Sequence, residues 1–371
     1  MKGKANLAVA AALGGAMALA PACGRQKPGP VVVDRVAYAP DGTLVALTNS
    51  GIFLFDEQLQ GQTGRIDLQG LPEPLEGRRY VFSLAADGTV VAVSYADPTS
   101  STTSVSLYRI PSGEVLTAFE IPAPFRGYTA EMLVDLALSP HGDLLAATAA
   151  EAIGLHLTMV DTATGAVLWT PADPDVRGPV WSPDGATLFA IGGPTQPMGG
   201  TVLEAYDGRA GLKWSQELPD SLGWIATTAD GTMLASQGAP WGCTGVTCNH
   251  YPFWSTTDGS ALTEVTGMPD FTPFGTLHGG SCAANDDVCA TETEGVFNSA
   301  ISGVWAYIYR PDGTVVGSWA LSLPASSLAL APDLQFLATS GTTGGEVAVF
   351  RVSDGSVVGS HSFNPIPMNA P

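Results

Sequence analysis

"APDGTLVALTNSG", residues Ala39–Gly51, sets the reading of this chain. An Asp-Gly turn is followed by a short run of Leu, Val and Ala. The same pattern returns as "AADGTVVAVS" from Ala85, "SPHGDLLAAT" from Ser139, "SPDGATLFAI" from Ser182 and "TADGTMLASQ" from Thr228. A last copy, "APDLQFLATS" from Ala331, has Leu334 in place of the glycine. The spacing is roughly 45 residues, with one double step before the last copy, and a fixed period of that size marks a repeat architecture. "AANDDVCATET" lies in the double step, where Asp286 and Asp287 supply the missing turn. Seven units result.

A second series of turns interleaves with the first, at Gly64, Gly113, Gly165, Gly211, Gly259, Gly313 and Gly355. The two series cut each unit into four short segments. In the third unit these read "LVDLALSP", "DLLAATAA", "LHLTMVD" and "AVLWTPA". Each is rich in Val, Leu, Thr and aromatics and is bounded by turn residues, which is the signature of strands. Asp-Gly between such runs marks a hairpin, because glycine takes positive φ without a steric penalty. Past the first residues, no stretch keeps a helical period with caps. The expected fold is all-β: a seven-bladed β-propeller of four-stranded antiparallel blades, six or eight blades being the alternatives. "SPDG" before an apolar strand resembles the WD-repeat superfamily and its bacterial periplasmic relatives, and "DTATGAVLWT" and "DGRAGLKWSQEL" resemble the repeats of quinoprotein-type propellers. The resemblance covers residues 31–363 and implies architecture, since the Gly-His and Trp-Asp signatures of strict WD repeats are missing. The last unit has its own outer strand, "SVVGSHSF", so the ring is not expected to close by an amino-terminal strand completing the last blade. Residues 364–371 read as a peripheral tail.

Residues 1–22 read as a signal peptide: Lys2 and Lys4 precede an apolar stretch, Leu7–Leu19, that is too short to span a bilayer. "LAPAC", ending at Cys23, resembles a bacterial lipoprotein signal, with Ala20 where that family usually has Leu. The resemblance implies lipidation of Cys23, a flexible tether over residues 23–30 and, from Gly24, placement at the outer membrane. Ordinary cleavage after "APA" would instead give a soluble periplasmic or secreted protein. Four further cysteines, Cys243, Cys248, Cys282 and Cys289, are an even set in an exported chain and imply disulfides. Three connectivities exist; local pairing closes the shortest loops and is the expectation. Their spacings do not suit a zinc site.

The chain has 371 residues, 35 of them acidic and 15 basic, for a net charge of -20. Such a surface repels nucleic acid and anionic lipid, which leaves the lipid anchor as the expected route to the membrane. Helical zinc-hydrolase, nucleophile-elbow, phosphate-loop and dinucleotide motifs are all absent. No cofactor and no catalytic or metal-binding residue is expected. His141 occupies a repeat turn, and Asp173 with Asp175 gives only part of a calcium-loop spacing.

Function therefore rests on loops. Turns between first and second strands, and between third and fourth, lie on one face, which is trim. The longer segments after Tyr95, Ile191, Gln237 and Thr293 fall on the other, where recognition is usually placed. The fifth-blade segment holds Trp241, Cys243, Cys248, His250 and Tyr251. Aromatics on a disulfide-ordered loop give contact area at little entropic cost, so Trp241, His250 and Tyr251 are candidate partner contacts. Phe253 and Trp254 are expected between blades. The expected function is a monomeric, non-enzymatic, membrane-anchored scaffold for a protein or cell-envelope component. The alternative is a propeller enzyme, a quinone-dependent dehydrogenase or lactonase-like hydrolase, with its site at the channel mouth.

Overall fold

The computed structural model describes residues 30–68, 80–96, 102–122, 133–151, 154–171, 175–193, 201–240, 251–265, 280–283, 288–297, 301–321, 325–341 and 345–364. Their strands form seven four-stranded antiparallel sheets, each in chain order. Blade 1 holds β1 (Val33–Tyr38), β2 (Leu44–Thr48), β3 (Gly51–Phe55) and β4 (Gln62–Ile66). Blade 2 holds β5 (Tyr80–Leu84), β6 (Val90–Ala96), β7 (Thr102–Arg109) and β8 (Val115–Pro122). Blade 3 holds β9 (Leu133–Leu138), β10 (Leu144–Glu151), β11 (Gly154–Asp161) and β12 (Val167–Trp169). Blade 4 holds β13 (Val176–Trp181), β14 (Thr187–Gly192), β15 (Val202–Asp207) and β16 (Gly211–Glu217). Blade 5 holds β17 (Asp220–Thr227), β18 (Met233–Pro240), β19 (Tyr251–Ser255) and β20 (Ala261–Val265). Blade 6 holds β21 (Gly280–Cys282), β22 (Cys289–Phe297), β23 (Ile301–Tyr309) and β24 (Val315–Leu321). Blade 7 holds β25 (Ala325–Leu330), β26 (Phe336–Gly341), β27 (Glu346–Arg351) and β28 (Val357–Ser362). First strands touch first strands around the ring, β1 meeting both β5 and β25, so they surround the central channel.

Blade stacking explains the burial. Leu44 and Ala46 of β2 pack with Phe336 and Ala338 of blade 7. Val45 and Leu47, one residue out of phase, pack with Phe82 and Val93 of blade 2. Successive side chains of a strand point to opposite faces, and both faces are covered, so β2 and β3 are buried at every position. The fourth strands face water: β16 is mostly exposed, and Leu212 is 58% exposed.

The trim-face turns are built twice over for glycine. Gly88, Gly142, Gly165 and Gly259 all have φ near +70°, a region that costs a side-chain-bearing residue about 1–2 kcal/mol. Gly88, Gly165 and Gly259 also press on the preceding blade. A Cβ at Gly88 would lie 2.6 Å from the Ala39 Cβ, and one at Gly165 2.6 Å from the Phe119 Cβ. Two positions depart from the glycine pattern. Leu334 takes φ 62° in blade 7. In blade 1 the left-handed residue is Leu59, φ 58°, while Gly64 sits inside β4 instead of in the turn.

Aspartates lock the same turns. Asp41, Asp87, Asp230 and Asp333 each accept the backbone N–H two residues on, at 2.9 Å. The Ser182 hydroxyl and the Ala186 N–H hold the Asp184 carboxyl below the usual range. At Asp230, burial works upward but hydrogen bonds from Thr232 and Thr228 prevail, so its pKa is also lowered. Glu57 goes the other way, raised by burial and by Asp333 beside it.

The ring closes between blades 7 and 1 without strand exchange. The Asn364 amide clasps the Val31 backbone from both sides: Val31 N–H donates to Oδ1 at 2.9 Å, and Nδ2 donates to the Val31 carbonyl at 2.6 Å. Gly345 N–H reaches that same carbonyl at 3.1 Å. Phe53, Phe55, His361 and Phe363 pack nearby with their rings tilted or edge-on to one another. Asn364 thus belongs to the closure, although the sequence pattern assigns it to the tail.

Two expectations follow. Gly165→Ala should destabilise the fold by about 3 kcal/mol, the sum of backbone strain and overpacking against Phe119. Gly211→Ala, with positive φ but open space around it, should cost only about 1 kcal/mol; urea denaturation of both variants measures the difference. A folded-state pKa below the unfolded value, as at Asp184 and Asp230, gives stability present above about pH 4 and lost as pH falls below it. The thermal midpoint should thus fall steeply under pH 4, less so in Asp184→Asn, with Glu57 opposing the trend.

Candidate functional site

The topology places two kinds of connection on two faces. Turns such as Ala39–Thr43 and Ala85–Thr89 join first to second strands, and turns such as Ile110–Glu114 join third to fourth. These are short and nearly uniform around the ring. Every other connection emerges on the opposite face, and their lengths vary, from two residues between β2 and β3 to ten between β18 and β19 and fourteen between β20 and β21. One expected excursion is shorter than its sequence suggests. Most of "EGVFNSAISG" is strand, because β22 runs to Phe297 and β23 starts at Ile301.

Of the residues singled out for partner contact, Trp241 and His250 lie outside the described residues, as do Cys23, Cys243 and Cys248. Tyr251 is described, and it corrects the expectation. It is 2% exposed, the first residue of β19, with its ring 5.7 Å from that of Tyr309 between blades 5 and 6. Burial, and Tyr307 nearby, push its hydroxyl pKa upward. It anchors the end of the loop in the core and presents nothing to a partner. Phe253 and Trp254 are buried as expected, and the Trp254 indole donates to Ser236 Oγ at 2.9 Å. Cys282 and Cys289 face each other on β21 and β22 and form a disulfide.

The blade 5/6 junction beneath that loop is the aromatic one. Trp224, Tyr251, Phe253, Tyr307 and Tyr309 share one cluster, where other junctions are mainly aliphatic. Gln237, fully buried on β18, accepts from Trp224 Nε1 at 3.2 Å and from Thr291 Oγ1 at 3.4 Å. Its own Nε2 is buried without a protein acceptor, as is the Tyr309 hydroxyl. Buried polar atoms of that kind are costly and uncommon, and here two sit in one junction.

Charge gathers in the channel instead. The inner strands of blades 1, 3, 4, 5 and 7 each break register near the loop-bearing end, and bulges of this type re-aim side chains. Just past the break come Arg35 in β1 and Asp135 in β9. They form an ion pair of 3.0 Å, 40% and 25% exposed, that joins blade 1 to blade 3 past blade 2. Burial pulls the Arg35 pKa down, but Asp135 and Asp34 outweigh it and the net shift is upward. The signal for this pair was present in sequence: both residues stand six places before their turn residue, Asp41 or His141. Arg177, exposed on β13, donates to the Leu222 carbonyl of blade 5 at 3.4 Å. Among the described residues, no three His, Cys, Asp or Glu side chains converge to hold a metal ion.

Asp135→Asn removes a partly solvated pair and should cost about 1 kcal/mol. The loss should shrink in high salt, and urea titrations at two ionic strengths read it directly.

No protein-family model matches the chain, and no curated protein matches it. Solved structures do. A chain of Kuenenia stuttgartiensis hydrazine synthase superposes with a TM-score of 0.61 at 17% identity, over 87% of this chain and 96% of that one. A chain of the mitotic checkpoint complex gives 0.59 at 14%, over 88% and 96%. The carboxy-terminal WD40 domain of Sif2 gives 0.56 at 12%, over 89% and 86%. At these identities the likeness is one of fold: the chain is a seven-bladed β-propeller with the architecture found in WD40 and other propeller structures.

Proposed function

We propose that the protein is a non-enzymatic binding scaffold, anchored through a lipid on Cys23, that engages a protein or cell-envelope partner with its loop-bearing face. The observation that supports this is the asymmetry of the two faces. One carries short aspartate-locked turns whose side chains are spent on their own backbone. The other carries every connection of variable length, which is where a repetitive scaffold gains individual recognition. The fifth-blade loop contributes Trp241 and His250 to contact. Its ends spring from Pro240 of β18 and from Tyr251, fixed in the core. The net charge of -20 disfavours nucleic acid as the partner. The channel charges Arg35 and Asp135 serve to hold blades together.

Replacing residues 241–250 by Asn-Gly tests the reading: it keeps β18 whole, and with Tyr251 opposite Gln237 in the continued β18–β19 register it leaves a five-residue connection, a common hairpin length. Cross-linking in native membranes should recover a specific partner with the intact protein and lose it with the shortened loop, at an unchanged melting temperature. Equal recovery from both proteins would refute the role given to this loop.

A further inference from the structure

We infer that the propeller is held with its loop-bearing face toward the membrane and its aspartate-turn face away. The inference rests on the lipid anchor at Cys23. Its basis is where the chain leaves the disk. β1 is an innermost strand, and it starts on the loop-bearing face, because its far end enters the Ala39–Thr43 turn. The approach to β1 is fixed there. Asn49 Nδ2 donates to the Pro30 carbonyl at 3.1 Å, and Val32 N–H donates to Asn49 Oδ1 at 2.9 Å. Asn364 holds Val31 between them.

Only seven steps of chain separate Cys23 from Pro30, and fully extended they reach at most ~25 Å. To bring the other face to the bilayer, the tether would have to run outward past three more strands, ~14 Å, and then down the length of a strand and its turn, ~20 Å. That path is ~35 Å, longer than the tether. Passage through the channel is obstructed by the Arg35–Asp135 pair, which spans from blade 1 to blade 3. The loop-bearing face lies within reach, and a partner seated on it must fit a gap of ~25 Å. That is the position of a membrane-resident protein.

The test uses full-length protein purified with its native modification and placed in liposomes containing a photoactivatable phospholipid. Labelled peptides are mapped by mass spectrometry. Peptides around Asn49–Ser50 should be labelled roughly fivefold more than those carrying the turns at Asp230 and Asp258, since a short linker sets a high local concentration on one side only. Inserting about 30 Gly/Ser residues between Pro28 and Gly29 should erase most of that bias. Labelling concentrated on the aspartate turns, or only on the outermost strands, overturns the inference while leaving the anchor intact. An amino-terminal peptide without acyl groups, and a Cys23→Ser protein that partitions like the wild type, refute the anchor itself and the orientation with it.

Discussion

The fold depends on how closely one blade can approach the next at the turns. Gly88 against Ala39, Gly165 against Phe119 and Gly355 against Trp319 leave no room for a Cβ, and the left-handed backbone at each position penalises one independently. The two demands coincide because the turn that reverses the strand also forms the lip on which the preceding blade rests. Where the demand relaxes, as at Gly211 and Gly313 with nothing near the missing Cβ, only the conformational half remains. Leu334 shows that the backbone half alone can be borne when the side chain gains packing: it lies against the cluster formed by blades 6 and 7.

Because these turns recur, the architecture was legible in the chain. The Asp-Gly series marked the first hairpin of six blades, and the second glycine series marked the outer hairpin of all but blade 1, where Gly64 misled. There the turn is made by Asp56, whose carboxylate accepts the N–H of Gln58 and Gln60, with Leu59 in the left-handed role. No glycine spacing announces that substitution. Strand boundaries within the longer blades were harder to read for a related reason. β22 and β23 extend to Phe297 and back from Ile301 through Gly and Ser residues that look like loop.

The candidate site was legible only in outline. Which face would be elaborate followed from turn position alone. Which side chains reach it did not, and Tyr251 is the instructive case. An aromatic next to a cysteine-rich loop suggests a contact surface, but it is also the first residue of β19, and that strand is buried between blades from its first residue. The channel pair was missed for the opposite reason. Arg35 and Asp135 are far apart in sequence and unremarkable alone; they meet because both occupy the position after an inner-strand bulge. Asn364 escaped notice because the sequence beyond β28 turns to proline and shows no strand period, although a single amide there replaces the ladder bonds that a shared strand would have given.

That amide has a consequence for how the chain is ordered. Since every sheet is assembled from an unbroken run of residues, each is a separable cassette, and the seam at Asn364 is one junction among seven, distinguished by carrying the chain's two ends. Joining those ends and opening the chain at another radial junction would preserve all seven sheets. It would also carry the chain's entry into the ring to a different sector of the same rim, so the angular position of the amino terminus relative to the long loops is a property of where the chain is cut and is independent of the fold.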